Sequence, residues 1–207
     1  MERLLLTTGN PGKLREIQAL LQNIKVILVT PDMLGISIRV EESGKTYEEN
    51  ATLKALAFAK ESGLVSLADD SGLEVDALDG LPGIRSARFS PLPNATDADR
   101  RAILLELLQS HSRPWKAHFH CTVAIALNTD KVYLAQGNCP GEIIPEERGT
   151  NGFGYDPIFL IPQVGKTMAE LGMNQKNLIS HRARAINAAL PLLNAIFIDP
   201  VPHHTSI

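Results

Sequence analysis

Apolar positions along this chain follow two rhythms that alternate. Leu4-Leu5-Leu6 is a short apolar run suited to a buried strand, and Leu14, Ile17, Leu20 and Leu21 follow at helical spacing. Between them lies TTGNPGK, residues 7–13, where Asn10 is a favoured N-cap and Pro11 fits the first helical position. The expected unit is strand, tight turn, helix. Residues 24–29 (IKVILV) read as a strand. Thr46 with Glu49 forms a capping-box pattern that opens a helix through about Ser62, with Leu53, Leu56 and Ala57 on its apolar face. Residues 64–68 (LVSLA) predict a short buried strand ending at Asp69-Asp70, and residues 97–110 an amphipathic helix led by acids. Residues 117–127 and 132–136 predict two strands joined by a turn at Asn128-Thr129-Asp130. A last helix is expected over 181–195, bent or ended near Pro191. Alternating helices and strands, with a hairpin in the second half, predict an α/β fold with a mixed sheet, and suggest two lobes around a cleft.

Composition narrows the class. The 207 residues suit one domain or one with two lobes, long enough to bury roughly 70% of the unfolded surface. Cys121 and Cys139 lack metal-site spacing and read as reduced packing residues of a cytosolic protein. A net charge of −3 argues against a nucleic acid polymer as partner. No stretch approaches the roughly 20 apolar residues of a membrane span. The three-leucine run near the N-terminus is too short for a signal peptide. Residues 1–199 are taken as a single domain and 200–207 as a loose tail, to which the His203-His204 pair belongs.

Five stretches carry candidate chemistry. The 7–13 stretch is not a P-loop: Thr7 stands where that motif needs glycine, and Leu14 where it needs a hydroxyl. Thr7, Thr8, Gly9, Asn10 and Lys13 nevertheless fall at a helix N-terminus, which attracts phosphate; the alternative is an ordinary capped helix. ADDSG (68–72) places two carboxylates at a strand end, suited to a divalent metal or equally to a turn, and EESG (41–44) adds two more in a loop. GTNGFGYDPIF (149–159) reads either as a hairpin turning at Asn151-Gly152 or as a flat slot in which an aromatic stacks on a base and Asp156 reads polar edges. ISHRARA (179–185) sets Ser180, His181 and Arg182 at a helix start, with Lys176 upstream as a further phosphate contact. His118 and His120 share a strand face and read as structural or exposed, while Lys54 faces either phosphates or solvent.

TTGNPGK, EESG, NATLKA, ADDSGLEVDAL, GLPGIRSARF, FHC, GTNGFGYDPIF and KNLISHRA occur in this order from about Leu4 to Leu193. Together they closely resemble the inosine triphosphate pyrophosphatase family, also called XTP/dITP diphosphatases. The resemblance implies an elongated mixed β-sheet with flanking helices, two lobes around a central cleft, and a homodimer in the cytoplasm. It implies Mg²⁺-dependent hydrolysis of inosine and xanthosine triphosphates to monophosphate and pyrophosphate. Carried over by position, it implies that Thr8, Gly9, Asn10, Pro11, Gly12 and Lys13 hold the triphosphate, that Asp70 accepts a proton, and that Ser71 touches substrate. It assigns the metal to Glu41 and Asp70, and the nucleotide and base pocket to Phe153, Gly154, Tyr155, Asp156, Lys176, His181 and Arg182. Arg85 stands where the family pattern leads one to expect an aromatic.

Overall fold

The structure, a computed structural model, describes residues 1–197. The expected 200–207 tail and the domain boundary at 199 lie outside the described residues. Strand β1 (Arg3–Leu6) leads through α1 (Pro11–Leu20) to β2 (Ile27–Val29), and α2 (Tyr47–Ser62) to β3 (Val65–Val75). After α3 (Asp97–Leu108) come the long strands β4 (Trp115–Ala126) and β5 (Val132–Ile143), the short β6 (Phe159–Ile161) and β7 (Lys166–Thr167), then α4 (Met173–Ile179) and α5 (His181–Phe197). The sheet is mixed, as its sequence pattern predicts. Its order is β2-β1-β3-β4-β5-β6-β7, with β1 parallel to β2 and β3 and the remaining pairs antiparallel.

Local chemistry explains the elements. Leu4, Leu5 and Leu6 are fully buried, each contributing about 1.5–3 kcal/mol relative to exposure. Asn128 Oδ1 accepts the N–H groups of Asp130 and Lys131, both at 2.9 Å, closing the β4–β5 hairpin at the expected turn. Cys121 and Cys139 are buried free thiols, and burial pushes them up to about 12 and about 11.

Several expectations are corrected. The ADDSG stretch is not a strand-ending turn, because β3 runs through it to Val75 and pairs residue for residue with β4. Leu53 is exposed; α2 packs through Ala51, Ala55 and Ala59, one step round the helix. Strand β2 begins only at Ile27, and α5 continues through Pro191 rather than ending there. Strand β5 extends past Gln136 to Ile143 despite Pro140, since β6 pairs only with Glu142 and Ile143 and leaves the proline's missing donor unneeded.

Each end of the long strands has its own core. Leu67, Cys121, Val123 and Ile125 pack under α1 and α5, while Ala68, Ala124 and Ala126 meet the alanine stripe of α2. At the other end Leu73, Val75, Ala117 and Phe119 join Leu104 and Leu108 of α3 with Phe159. Asp69 to Gly72 lie where β3 passes between these cores, opposite Val123 to His120 of β4.

Candidate active site

Asn10 caps α1 as expected: its Oδ1 accepts from Gly12 N–H at 2.8 Å and Lys13 N–H at 3.1 Å. The cap thereby occupies two of the donors a helix N-terminus offers a phosphate. Thr8 Oγ1 accepts from Asn10 N–H, leaving the Thr8 and Gly9 N–H groups outside the turn's own bonds. Lys13 is held 3.0 Å from Asp69 Oδ2.

Alternation along β3 sends its two aspartates to opposite faces. Asp69 faces α1 and α5, where Lys13 and the Arg182 Nε, at 3.1 Å, share one carboxylate oxygen. Burial would raise the Asp69 pKa, but Lys13, Arg182 and Lys54 outweigh it and hold the carboxyl far below the usual range. Asp70 faces α2. Burial pushes its pKa up, and the opposing Lys54 and Lys13 cations do not cancel that push. Lys54 Nζ lies 3.7 Å from Asp70, donates to the Asp69 carbonyl at 2.6 Å and pairs with Glu42 at 2.9 Å; it faces carboxylates, not solvent. Asp70 Oδ2 is buried with no hydrogen-bond partner.

The loop before α2 presents Glu42, not Glu41. Neighbouring residues of this extended segment point in opposite directions, so Glu42 enters the cleft and pairs with Lys54 and, at 3.0 Å, with Arg88, while Glu41 is exposed.

The glycine-rich stretch is no hairpin. Gly149, Gly152 and Gly154 take positive φ values of 83°, 77° and 61°, which coil the chain into a loop. It lays the Phe153 ring directly on Gly12, where a Cβ would collide with the ring. The Lys176 ammonium and the Arg182 guanidinium lie 5.1 and 5.7 Å from the ring centre, within cation–π range. Lys176 is not a free phosphate ligand: its Nζ sits 2.8 Å from Glu16 and 2.6 Å from Asp156. Arg182 also pairs with Glu16 and donates to Ser71 Oγ at 3.0 Å. Lys13, Asp69, Arg182, Glu16, Lys176 and Asp156 thus form a string of alternating charge from phosphate turn to slot. His181 stacks on Phe119 at 4.7 Å and 17°. Burial, then the Arg182, Lys176 and Lys13 cations, drive its pKa well down and keep it neutral.

These groups gather around one cleft. Of the residues singled out by sequence, Asn10, Lys13, Asp70, Ser71, Phe153, Gly154, Tyr155, Asp156, Lys176, His181 and Arg182 line it. Thr8, Gly9 and Pro11 open onto an adjoining groove walled by Lys54 and Arg39, which shares Asn10 with the cleft. A model of the Ham1 family matches residues 4–192. The chain belongs to the Ham1 family. A dITP/XTP pyrophosphatase from Desulforamulus reducens is 44% identical over 95% of this chain and 98% of its own. One from Geobacter sulfurreducens is 48% identical over 90% and 94%. The structure of a HAM1 protein from Coxiella burnetii superposes with a TM-score of 0.84 at 40% identity, covering 95% of this chain and 98% of the other.

In this Ham1-family cleft the residues that sequence reasoning missed are the counterions: Glu16, Asp69 and Glu42. Helical spacing places Glu16 three residues after Lys13, a signal that α1 carries an acid close behind the phosphate turn. Nothing local distinguishes Glu42 from Glu41. His118 and His120 are structural: His118 pairs with Glu74 at 3.1 Å, and His120 bonds Asn138 and Thr122.

Proposed function

We propose that this protein hydrolyses the triphosphates of deaminated purines, inosine and xanthosine, ribo or deoxy, to monophosphate and pyrophosphate. The observation that carries the reading is a single cleft in which a phosphate turn with Lys13, a buried acid with a free oxygen, and an aromatic slot backed by Arg182 share walls. The name dITP/XTP pyrophosphatase borne by relatives 44% and 48% identical supports it. The role is to clear such nucleotides before polymerases use them.

Residue chemistry supplies the steps. Lys13 exchanges Asp69 for the phosphates and, with the Thr8 and Gly9 N–H groups, holds the chain of phosphates in line; positioning and charge stabilisation dominate phosphoryl transfer. Asp70 orients a water with its unpaired Oδ2 and takes its proton, helped by a pKa that burial has raised. Phe153 stacks on the base. Arg182, fixed by Glu16 and Asp69, donates to the purine 6-oxo group; adenine's 6-amino group would set donor against donor.

The donor set fits Mg²⁺. Asp70 has a buried oxygen with no hydrogen-bond partner, and Glu42 shares Lys54 with it. That matches an ion taking one or two carboxylates plus substrate phosphates. When bound there it supplies neutralisation of phosphate charge and a lowered water pKa. A homodimer acting in the cytoplasm, with two lobes corresponding to the two core ends, completes the proposal on the family resemblance.

The test is pyrophosphate release from ITP, XTP and dITP beside ATP, GTP, dTTP and CTP, with Mg²⁺ or with EDTA. Metal-dependent release confined to inosine and xanthosine nucleotides is the expected outcome. Turnover of other bases would overturn the base assignment and favour a nucleotide pyrophosphatase with a different base preference. Binding of ITP with no turnover would make the protein a nucleotide-binding protein instead.

A further inference from the structure

A connection between α3 and the Phe153 slot plays no part in the steps above. Asp97, the first residue of α3, accepts the Gly154 N–H at 2.7 Å through Oδ2. Arg101, one turn on and on the same helix face, donates to the Gly154 carbonyl at 2.8 Å. The same guanidinium grips Glu147 with two prongs, Nε at 2.8 Å and Nη2 at 2.9 Å. Glu147 precedes the glycine-rich stretch and Gly154 lies within it, so one side chain, only 11% exposed, ties the two together. The base of the grip is firm: Thr96 and Asp99 cap α3 reciprocally, and Leu104 and Leu108 are fully buried.

The Phe153 N–H donates to Asp156 Oδ2 at 2.9 Å, and the Gly154 peptide groups go to α3. A Cβ at Gly154 would meet nothing within 4 Å, so no side chain crowds the loop on that side. The neighbours of Gly154 are the two aromatics that matter. Phe153 is the wall of the slot, and the Tyr155 hydroxyl donates to the Ser86 carbonyl at 3.0 Å.

We propose that Asp97 and Arg101 are positioning residues for base recognition: by holding Gly154 at both N–H and C=O, they set where the Phe153 ring stands over the phosphate turn and so the width of the base slot. This rests on the function proposed above. Neither residue needs to touch the reacting atoms. Their effect falls on substrate binding and base choice, where an interaction equal in ground and transition states appears in KM.

Three variants test it: Arg101→Met, which keeps the bulk and removes all donors; Arg101→Lys, which keeps one donor; and Glu147→Gln, which loosens the two-pronged pair without emptying the site. KM and kcat are measured on ITP and GTP, with thermal midpoints alongside. Arg101→Met is expected to raise the KM for ITP about tenfold, to lower the ITP-over-GTP ratio of kcat/KM about tenfold, and to leave kcat within about twofold. Arg101→Lys should recover part of both losses. If Arg101→Met does not fold, Glu147→Gln carries the test with a smaller shift in the same direction. A lower midpoint with KM and base ratio unchanged would make the contact a structural staple and overturn the proposal, as would a loss confined to kcat. A wild type inert on ITP, XTP and dITP would instead sink the function itself.

Discussion

Gly12→Ala presses on the contact between the phosphate turn and the base slot, and its Cβ would also stand 3.0 Å from the capping Asn10 Oδ1. A Cβ on Gly12 would stand 2.7 Å from Phe153 Cε1, with Cδ1 closer still. Carbon atoms rest at about 3.5–4.0 Å, so the ring must retreat by about 1 Å. Two energies oppose each other in the fold. Alanine inside a helix gains about 0.5–1 kcal/mol over glycine, while overpacking costs about 1–3 kcal/mol. Phe153 is only half-buried and can swing outward, which puts the cost at the low end and leaves net stability within about 1 kcal/mol of wild type. In a protein of this size that moves the thermal midpoint by only about 2–4 °C. Function has no such offset. A 1 Å misplacement of a positioning group can cost about 100-fold, so kcat/KM for ITP should fall about 10- to 100-fold, or about 1.4–2.7 kcal/mol. The assay is pyrophosphate release, repeated in a Phe153→Ala background. If the loss acts through the ring, adding Gly12→Ala to Phe153→Ala should cost almost nothing more. An equal loss in both backgrounds would refute the reasoning and move the effect to the turn itself.

Asp70→Asn should lower turnover by at least about 1,000-fold. In EDTA at neutral pH it should also leave the thermal midpoint unchanged or higher. The folded pKa of Asp70 is raised, so its favourable contribution exists in the protonated form and is lost as pH rises through that pKa; removing the charge therefore helps above it, and a clearly lower midpoint at neutral pH would contradict this. Glu16→Ala leaves Arg182 and Lys176 with one carboxylate partner each, Asp69 and Asp156, and should cost about 1.5–3 kcal/mol, read as a drop of about 5 °C in midpoint; a drop under about 2 °C would show that the string is not structural. Asp69 and Glu16 have lowered pKa values, so their contribution is present above their ordinary values of 3.8 and 4.5 and is lost as pH falls through the depressed ones; midpoints should decline on acidification below about pH 5, and a flat acid limb would count against the pairs.

The fold was legible where pattern and geometry coincide. Leu4-Leu5-Leu6, the Asn10 cap and the Asn128 turn signal themselves locally, and the structure follows them. Long β3 was hidden because Asp-Asp-Ser-Gly has turn composition, and only pairing along β4 holds it extended. The second half of β5 was hidden by Gly137, Pro140 and Gly141 for the same reason. At the site, motifs marked the residues that face the cleft but not the acids beneath it. Glu16 meets Arg182 across 166 positions of sequence and Asp69 meets it across 113, so neither pairing leaves a local trace. The choice of Glu42 over Glu41 depends on how one extended loop is rotated, which no composition encodes.

Three cations at the cleft and its adjoining groove already have carboxylate partners: Lys13 has Asp69, Lys54 has Glu42, and Arg182 has Asp69 and Glu16. An incoming anion therefore competes with internal partners rather than settling onto bare positive charge. A single orthophosphate breaks one such bond to make another and gains little. A polyphosphate that replaces several at once, with a base stacking at the far end, recovers the cost. The cleft should on this account be hard to clog with the small anions of its surroundings, and orthophosphate should inhibit far more weakly than pyrophosphate. Equal inhibition by the two would mean that a free cation waits in the cleft after all.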